Sequence, residues 1–114
     1  MVRAGQLRER IAFDKRRETD DGAGNLEGAF EEQFVVWAEV LRLRGGEGVI
    51  AARLEGKQPV VITVRQSAAT RLIKADWRAR DKRTGEEFAL VSPPAEPKGQ
   101  RGIFEILGTA GVAA

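Results

Sequence analysis

The sequence predicts a mainly β fold: a small antiparallel β-barrel or sandwich of about six strands, with one long loop and one short helix. Three observations carry this expectation. Segments with period-two alternation of apolar and polar residues recur along the chain. Val60–Val64 is an unbroken β-branched run, which suits a pleated sheet. Glycine, proline and charged turns separate the segments at short intervals. The 114 residues fit one domain, residues 1–114, with enough chain for one core.

Taken in order, Leu7, Ile11 and Phe13 alternate with Arg8, Arg10 and Ala12 and predict a first half-buried strand. Asp14 to Gln33 lose periodicity, carry many charges and hold the turn-forming pairs Asp21-Gly22 and Gly24-Asn25. They read as a long mobile loop, far above the usual median of ~4–6 residues, and loops of that length are commonly functional. Phe34 to Leu43 predict the central strand. Phe34, Val36, Ala38 and Val40 share one face; Val35, Trp37, Glu39, Leu41 and Leu43 share the other. Apolar residues on both faces imply cover on both sides, by a barrel and its neighbours. Gly45-Gly46 break the strand, and Glu47–Leu54 follow as a short helix with Ile50 and Leu54 on one face.

Gly56–Pro59 is a turn and Val60–Gln66 the clearest strand. Ser67–Thr70 is a small polar break. Leu72 to Asp81 predict another strand, with Ile73, Ala75 and Trp77 on one side. Arg83–Glu86 form a hairpin turn in which Gly85 supplies positive φ, and Phe88–Val91 return. Three prolines bar Ser92–Gly99 from a central strand. Gly102–Gly108 is a last short strand, and Thr109–Ala114 a frayed tail. A single Trp on an alternating strand is expected in the core, which applies to Trp77 and Trp37 alike.

Composition excludes much chemistry. The chain has no Cys, His or Tyr. That removes disulfides, thiolate metal sites, Ser-His-acid triads and the commonest general base. Asp20-Asp21 beside Gly22 and Asn25 lack the spacing and closing Glu of a calcium loop. Gly45-Gly46-Glu47-Gly48 lack the Lys-Ser or Lys-Thr of a phosphate loop. The formal charge of +2 is a weak nucleic-acid signal, because Lys15-Arg16-Arg17 and Arg78–Arg83 each have acids nearby. No apolar segment reaches the ~18 residues of a membrane span, and MVRAGQLRER has no secretory h-region. The residues therefore predict a non-enzymatic β domain without cofactor or metal, with a binding or assembly role. A small OB-like nucleic-acid-binding module is the alternative from a different class.

The order of features then becomes informative. Gly5-x-Leu7-x-x-Arg10-Ile11 opens the chain, and Asp21-Gly22-Ala23-Gly24 lies in the charged loop. Trp37-Ala38-Glu39-Val40 and Gly46-Glu47 leading to Ala51-Ala52 follow, then Thr63-Val64-Arg65 and Gly85-x-x-Phe88. Over roughly residues 3–107 this series resembles the head–tail joining (head-closure, stopper or head–tail adaptor) proteins of tailed bacteriophages. The resemblance implies a structural virion protein with a small β-barrel, an extended loop and a short helix. It implies a homo-oligomeric ring, hexamer or dodecamer, beneath the portal or adaptor, which retains packaged DNA and docks the tail. Packaged DNA would pass through without sequence-specific binding. Its place would be a virion or gene-transfer particle, and the host cytoplasm before assembly. A tail-terminator or adaptor ring of the same particle is the neighbouring alternative. The residues expected at subunit or partner contacts are Asp21, Gly22, Gly24 and Asn25 in the loop, then Trp37, Gly45, Gly46, Glu47, Ile50 and Leu54.

Overall fold

A computed structural model describes the backbone of residues 7–20 and 26–111, and the side chains of 7–17 and 29–111. Six antiparallel strands close a barrel: β1 (Glu9–Asp20), β2 (Leu26–Arg42), β3 (Gln58–Arg65), β4 (Arg78–Asp81), β5 (Glu87–Leu90) and β6 (Ile103–Ala110). Around the barrel they run β1-β2-β3-β6-β5-β4, with β4 returning to β1. One helix, α1 (Glu47–Leu54), interrupts the β2–β3 connection, and a single 3₁₀ turn spans Thr70–Leu72. Closure leaves the barrel itself without a free edge.

The core follows from the alternation. Ile11 and Phe13 of β1, Val60, Ile62 and Val64 of β3, Phe88 of β5 and Ile106 of β6 are fully buried inside. Phe13 packs on Phe34 at 5.5 Å and Phe34 on Trp77 at 6.2 Å, closing the end from which β1 and β2 run on. Trp77 is buried, as expected. Trp37 is not: it lies on the outer face of β2 and is 53% exposed. The indole alternates against Val36 and Ala38, so the barrel interior is already filled by its neighbours' side.

Three further expectations are corrected. Asp14–Asp20 and Leu26–Gln33 are strand, not loop; β1 continues to Asp20 and β2 begins at Leu26, in register from Asp14↔Glu32 to Asp20↔Leu26. A two-stranded extension has no core face, so it shows no hydrophobic period. A bulge, with Phe13 opposite Phe34 and Asp14 opposite Glu32, leaves Gln33 as the extra residue and breaks the pattern further. Leu72–Trp77 is not strand. Ser67 and Thr70 exchange hydrogen bonds (Ser67 N–H to Thr70 Oγ1, 2.8 Å; Thr70 N–H to Ser67 Oγ, 3.1 Å), and Thr70 Oγ1 donates to the Arg65 carbonyl at 2.8 Å. This turn redirects the chain, and Ile73 and Trp77 are buried four residues apart instead of two while Ala75 is exposed. Thr109 and Ala110 belong to β6, opposite Pro59 and Gln58; 112–114 lie outside the described residues.

The hairpin turn is as read from the sequence. Gly85 has φ +80°, and Asp81 Oδ1 accepts the N–H groups of Arg83 (2.8 Å) and Thr84 (3.2 Å). At the barrel's other seam, Gly111 has φ +83°, and a Cβ there would lie 2.4 Å from the Gly56 carbonyl oxygen. Gly111→Ala is therefore expected to lower stability by roughly 1–3 kcal/mol, read as a lower denaturation midpoint at unchanged slope.

Candidate functional site

Beyond the barrel, β1 and β2 stand as a two-stranded ribbon. β4 pairs with β1 only over Ile11–Asp14, and β3 with β2 only over Ala38–Arg42. Residues Lys15–Asp20 and Leu26–Glu31 extend past these limits by roughly 20 Å at the usual strand rise. Such a ribbon is marginal alone and needs support from elsewhere. Part of that support is visible in the chain. The Arg17 Nε–Glu31 carboxylate pair at 2.6 Å links its two strands, though both groups are half exposed.

The remaining support is an ion cluster at the root. Asp14 points to the outer face of β1, yet is fully buried. Its Oδ2 accepts from Arg78 Nε at 2.8 Å and its Oδ1 from Arg80 Nη2 at 3.3 Å. Arg80 Nη2 also reaches Glu32 at 2.9 Å, and Lys82 Nζ reaches Glu32 at 3.3 Å. Arg78 continues to Glu87 and lies over the Phe30 ring, 4.4 Å from its centroid. One network thus joins β1, β2, β4 and β5 beside the bulge, where the ribbon leaves the barrel.

Hydrogen bonds from Arg80 and then Lys82 hold the Glu32 carboxyl below its ordinary value of 4.5; the Arg80 guanidinium is raised, chiefly by its bond to Asp14. Because the folded-state value of Glu32 is the lower one, its stabilisation is complete above pH 4.5 and is lost as pH falls through the folded value. Glu32→Gln should accordingly differ from the parent by a constant amount at neutral pH, with the gap closing under acid. Urea melts over about pH 3–6 would read it.

The β2–β3 connection forms the second feature. Gly46, at φ +91°, stands at the N-cap of α1; space is open around Gly45, Gly46 and Gly48. Glu47 begins the helix and Arg53 lies in its last turn, each at the favourable end of the helix dipole. α1 buries no residue at all. Ile50 is 50% and Leu54 85% exposed, with Arg53 between them. The helix is held through its backbone: Lys57 N–H donates to the Ala52 carbonyl, and Gln58 Nε2 donates to the carbonyls of Leu43 (2.7 Å) and Pro59 (2.8 Å).

Of the ten residues expected at contacts, six lie in described chain. Trp37 is exposed on the barrel wall, while Gly45, Gly46, Glu47, Ile50 and Leu54 sit together at the β2–α1 junction. Asp21, Gly22, Gly24 and Asn25 lie outside the described residues, between the two ribbon strands. The sequence reading missed a row of apolar residues on the outer wall. Leu41 pairs with Val61 and Val61 with Leu107, with Leu41 and Leu107 both about half exposed. The available signal was that the outward set of β2 already contained Leu41. It also missed the Asp14 cluster, whose acid and bases are separated by more than sixty residues.

Among the described residues no group of three or more His, Cys, Asp or Glu is placed to hold a metal ion. No described helix is long and apolar enough to cross a membrane. The described chain is thus a closed barrel with a projecting ribbon and a short helix that turns Ile50 and Leu54 outward. The chain belongs to the phage head completion protein family, whose model matches residues 2–111. It is a structural protein of the head region of a phage-like virion particle. Solved structures share the fold, among them two that match almost the whole chain. The solution structure of protein SF1141 from Shigella flexneri 2a matches with a TM-score of 0.68 at 24% identity, over 99% of this chain and 100% of that one. A chain in the virion of a native gene transfer agent particle matches with a TM-score of 0.66 at 23% identity, over 95% of this chain and 97% of that one. No curated protein matches the sequence.

Proposed function

We propose that the chain forms a homo-oligomeric ring, a hexamer or dodecamer, in the head–tail connector. The ring sits beneath the portal or adaptor, retains packaged DNA and presents a docking surface for the tail. The observation that carries this reading is helix α1, which has no fully buried residue and turns Ile50 and Leu54 to the outside. A helix face of that kind costs a monomer solubility and is supported by burial in an assembly. The projecting ribbon is the second part made for contact. A balance of charges near zero lets DNA slide through a channel, where a strongly basic lining would grip phosphates.

Electron microscopy of particles made with the gene deleted tests the reading. DNA-filled or leaking heads beside complete, separate tails are expected; normally joined particles would remove it. Deleting Thr19–Gly28 is a finer test. Arg16 would still face Phe30, with Arg17, Glu18 and Ala29 left as a three-residue hairpin connection. A cooperatively folding barrel that no longer completes particles is the expected product. Particle yields equal to the parent's would show that the ribbon end makes no required contact.

A further inference from the structure

We infer that helix α1 of one copy docks across the outer wall of β2, β3 and β6 of the next copy. This rests on the ring reading above and names the contact that closes the ring. On the wall, Leu41 pairs with Val61 and Val61 with Leu107. Val91, just past β5, donates its N–H to the Leu107 carbonyl at 2.8 Å. Ile62, Ile106 and Leu90, the next residues along these strands, are buried inside the barrel, so the four form one apolar row on its outside. The row spans roughly 14 Å at the usual strand spacing. Leu41, Leu107 and Val91 are each about half exposed or more. In the neighbouring row Glu39 and Glu105 stand on either side of Thr63, and neither has an ion pair among the described residues. The row on the other side, Pro59, Thr109 and Ala89, is uncharged. Arg42, beside Leu41, lies over the Phe88 ring and is paired with Glu86, and Arg65 stands one row beyond the two acids. The apolar row is therefore edged by negative charge.

Helix α1 carries the complement. Ile50, Arg53 and Leu54 line one shallow groove of about 290 Å³. Arg53 Nη1 donates to the Arg44 carbonyl at 3.4 Å, and Arg53 meets no carboxylate among the described residues. The eight residues of α1 span about 12 Å, close to the length of the row. Laid along it, the helix covers Leu41, Val61 and Leu107 with Ile50 and Leu54 and brings Arg53 to the acidic edge. The two faces do not meet within one molecule, where Ile50, Leu54, Leu41 and Leu107 all remain exposed. Charge also decides against pairing like with like. Wall on wall would bring Glu39 and Glu105 against their own copies, and helix on helix would set Arg53 against Arg53. The contact therefore joins unlike faces of two copies. It is heterologous, the kind that closes rings.

Charge reversal tests this in gene-deleted source cells complemented with variants, counting joined particles by electron microscopy. Arg53→Glu reverses the helix; Glu39→Arg with Glu105→Arg reverses the wall. Each variant should lower the count of joined particles at least about tenfold, while thermal melts by circular dichroism show an intact fold. The three substitutions together should restore joining. Either variant joining normally, where the deletion does not, overturns the inference and leaves the ring reading standing. Loss in both without restoration also overturns it and assigns the two faces to different partners in the particle. Cross-linking reads the contact without a change of charge, because the chain has no cysteine of its own. Leu54→Cys with Leu107→Cys, treated in joined particles with a short thiol-to-thiol cross-linker, should give a ladder of multimers on a denaturing gel, while each single-cysteine chain stays monomeric. A monomer band alone from the double variant overturns the inference. A deletion that joins normally removes the ring reading and this inference together.

Discussion

Asp14→Ala is expected to destabilise the fold by about 3 kcal/mol, the largest loss from a single polar substitution in this chain. The carboxylate is fully buried and takes hydrogen bonds from Arg78 and Arg80. Its removal leaves two partly buried guanidinium groups facing each other without the acid between them. Glu87 and Glu32 still answer Arg78 and Arg80 from the solvent side, which keeps the cost near the lower end of the range for broken buried pairs. A thermal midpoint lowered by about 10 °C or more would accompany that loss in a domain of this size. The effect should not be uniform. Asp14 is the point where β1 leaves its pairing with β4, so amides of 15–20 and 26–32 should lose hydrogen-exchange protection before the barrel strands. Asp14→Asn separates the contributions, since it keeps the size and one acceptor but not the charge. A loss confined to a few tenths of a kcal/mol for Asp14→Ala would show that solvent already screens the cluster.

The barrel was legible because its signals are local. The β-branched run at Val60–Val64, the Gly85 turn and the proline-rich stretch each specify their own conformation, and each is found where the sequence placed it. The short helix was legible too, since Gly45-Gly46 end the strand and Ile50 and Leu54 share a helical face. The ribbon was hidden by the physics that makes strands readable. Alternation records a buried face, and Lys15–Arg17 pair with Ala29–Glu31 with no fully buried residue among them. Without a period, such a strand leaves no trace in the sequence. Trp37 misleads in the opposite sense: its apolar ring suggests the interior, but its parity on β2 places it outside. The strand's two apolar faces already held the answer, because one chain can cover only one of them. The Asp14 cluster was out of reach, since only the closure of β4 on β1 brings Arg78 and Arg80 to that carboxylate.

Ile50→Lys with Leu54→Lys is expected to leave the fold intact and stop particle joining, the largest functional effect with the smallest structural one. α1 contributes no buried residue, so neither side chain supports the barrel. Lysine forms helices well, and Leu54 ends α1, where positive charge is favourable. Stability should stay within about 0.5 kcal/mol of the parent. In an interface the balance reverses. Each buried Ile or Leu side chain contributes about 1.5–3 kcal/mol over its exposed state, and replacing it with an ammonium adds a desolvation cost. In a ring that penalty recurs at every subunit boundary. Gly46→Val with Gly48→Val provides the control for position. Gly46 sits at φ +91°, where a β-branched residue costs roughly 1–3 kcal/mol and re-aims the helix, while Gly48 has open space around it. Loss of joining in both pairs, with cooperative melting in each, identifies α1 by its face and by its direction. Loss only in the glycine pair would mean that the junction matters and the apolar face does not. Normal joining in both would remove α1 from the proposed assembly surface.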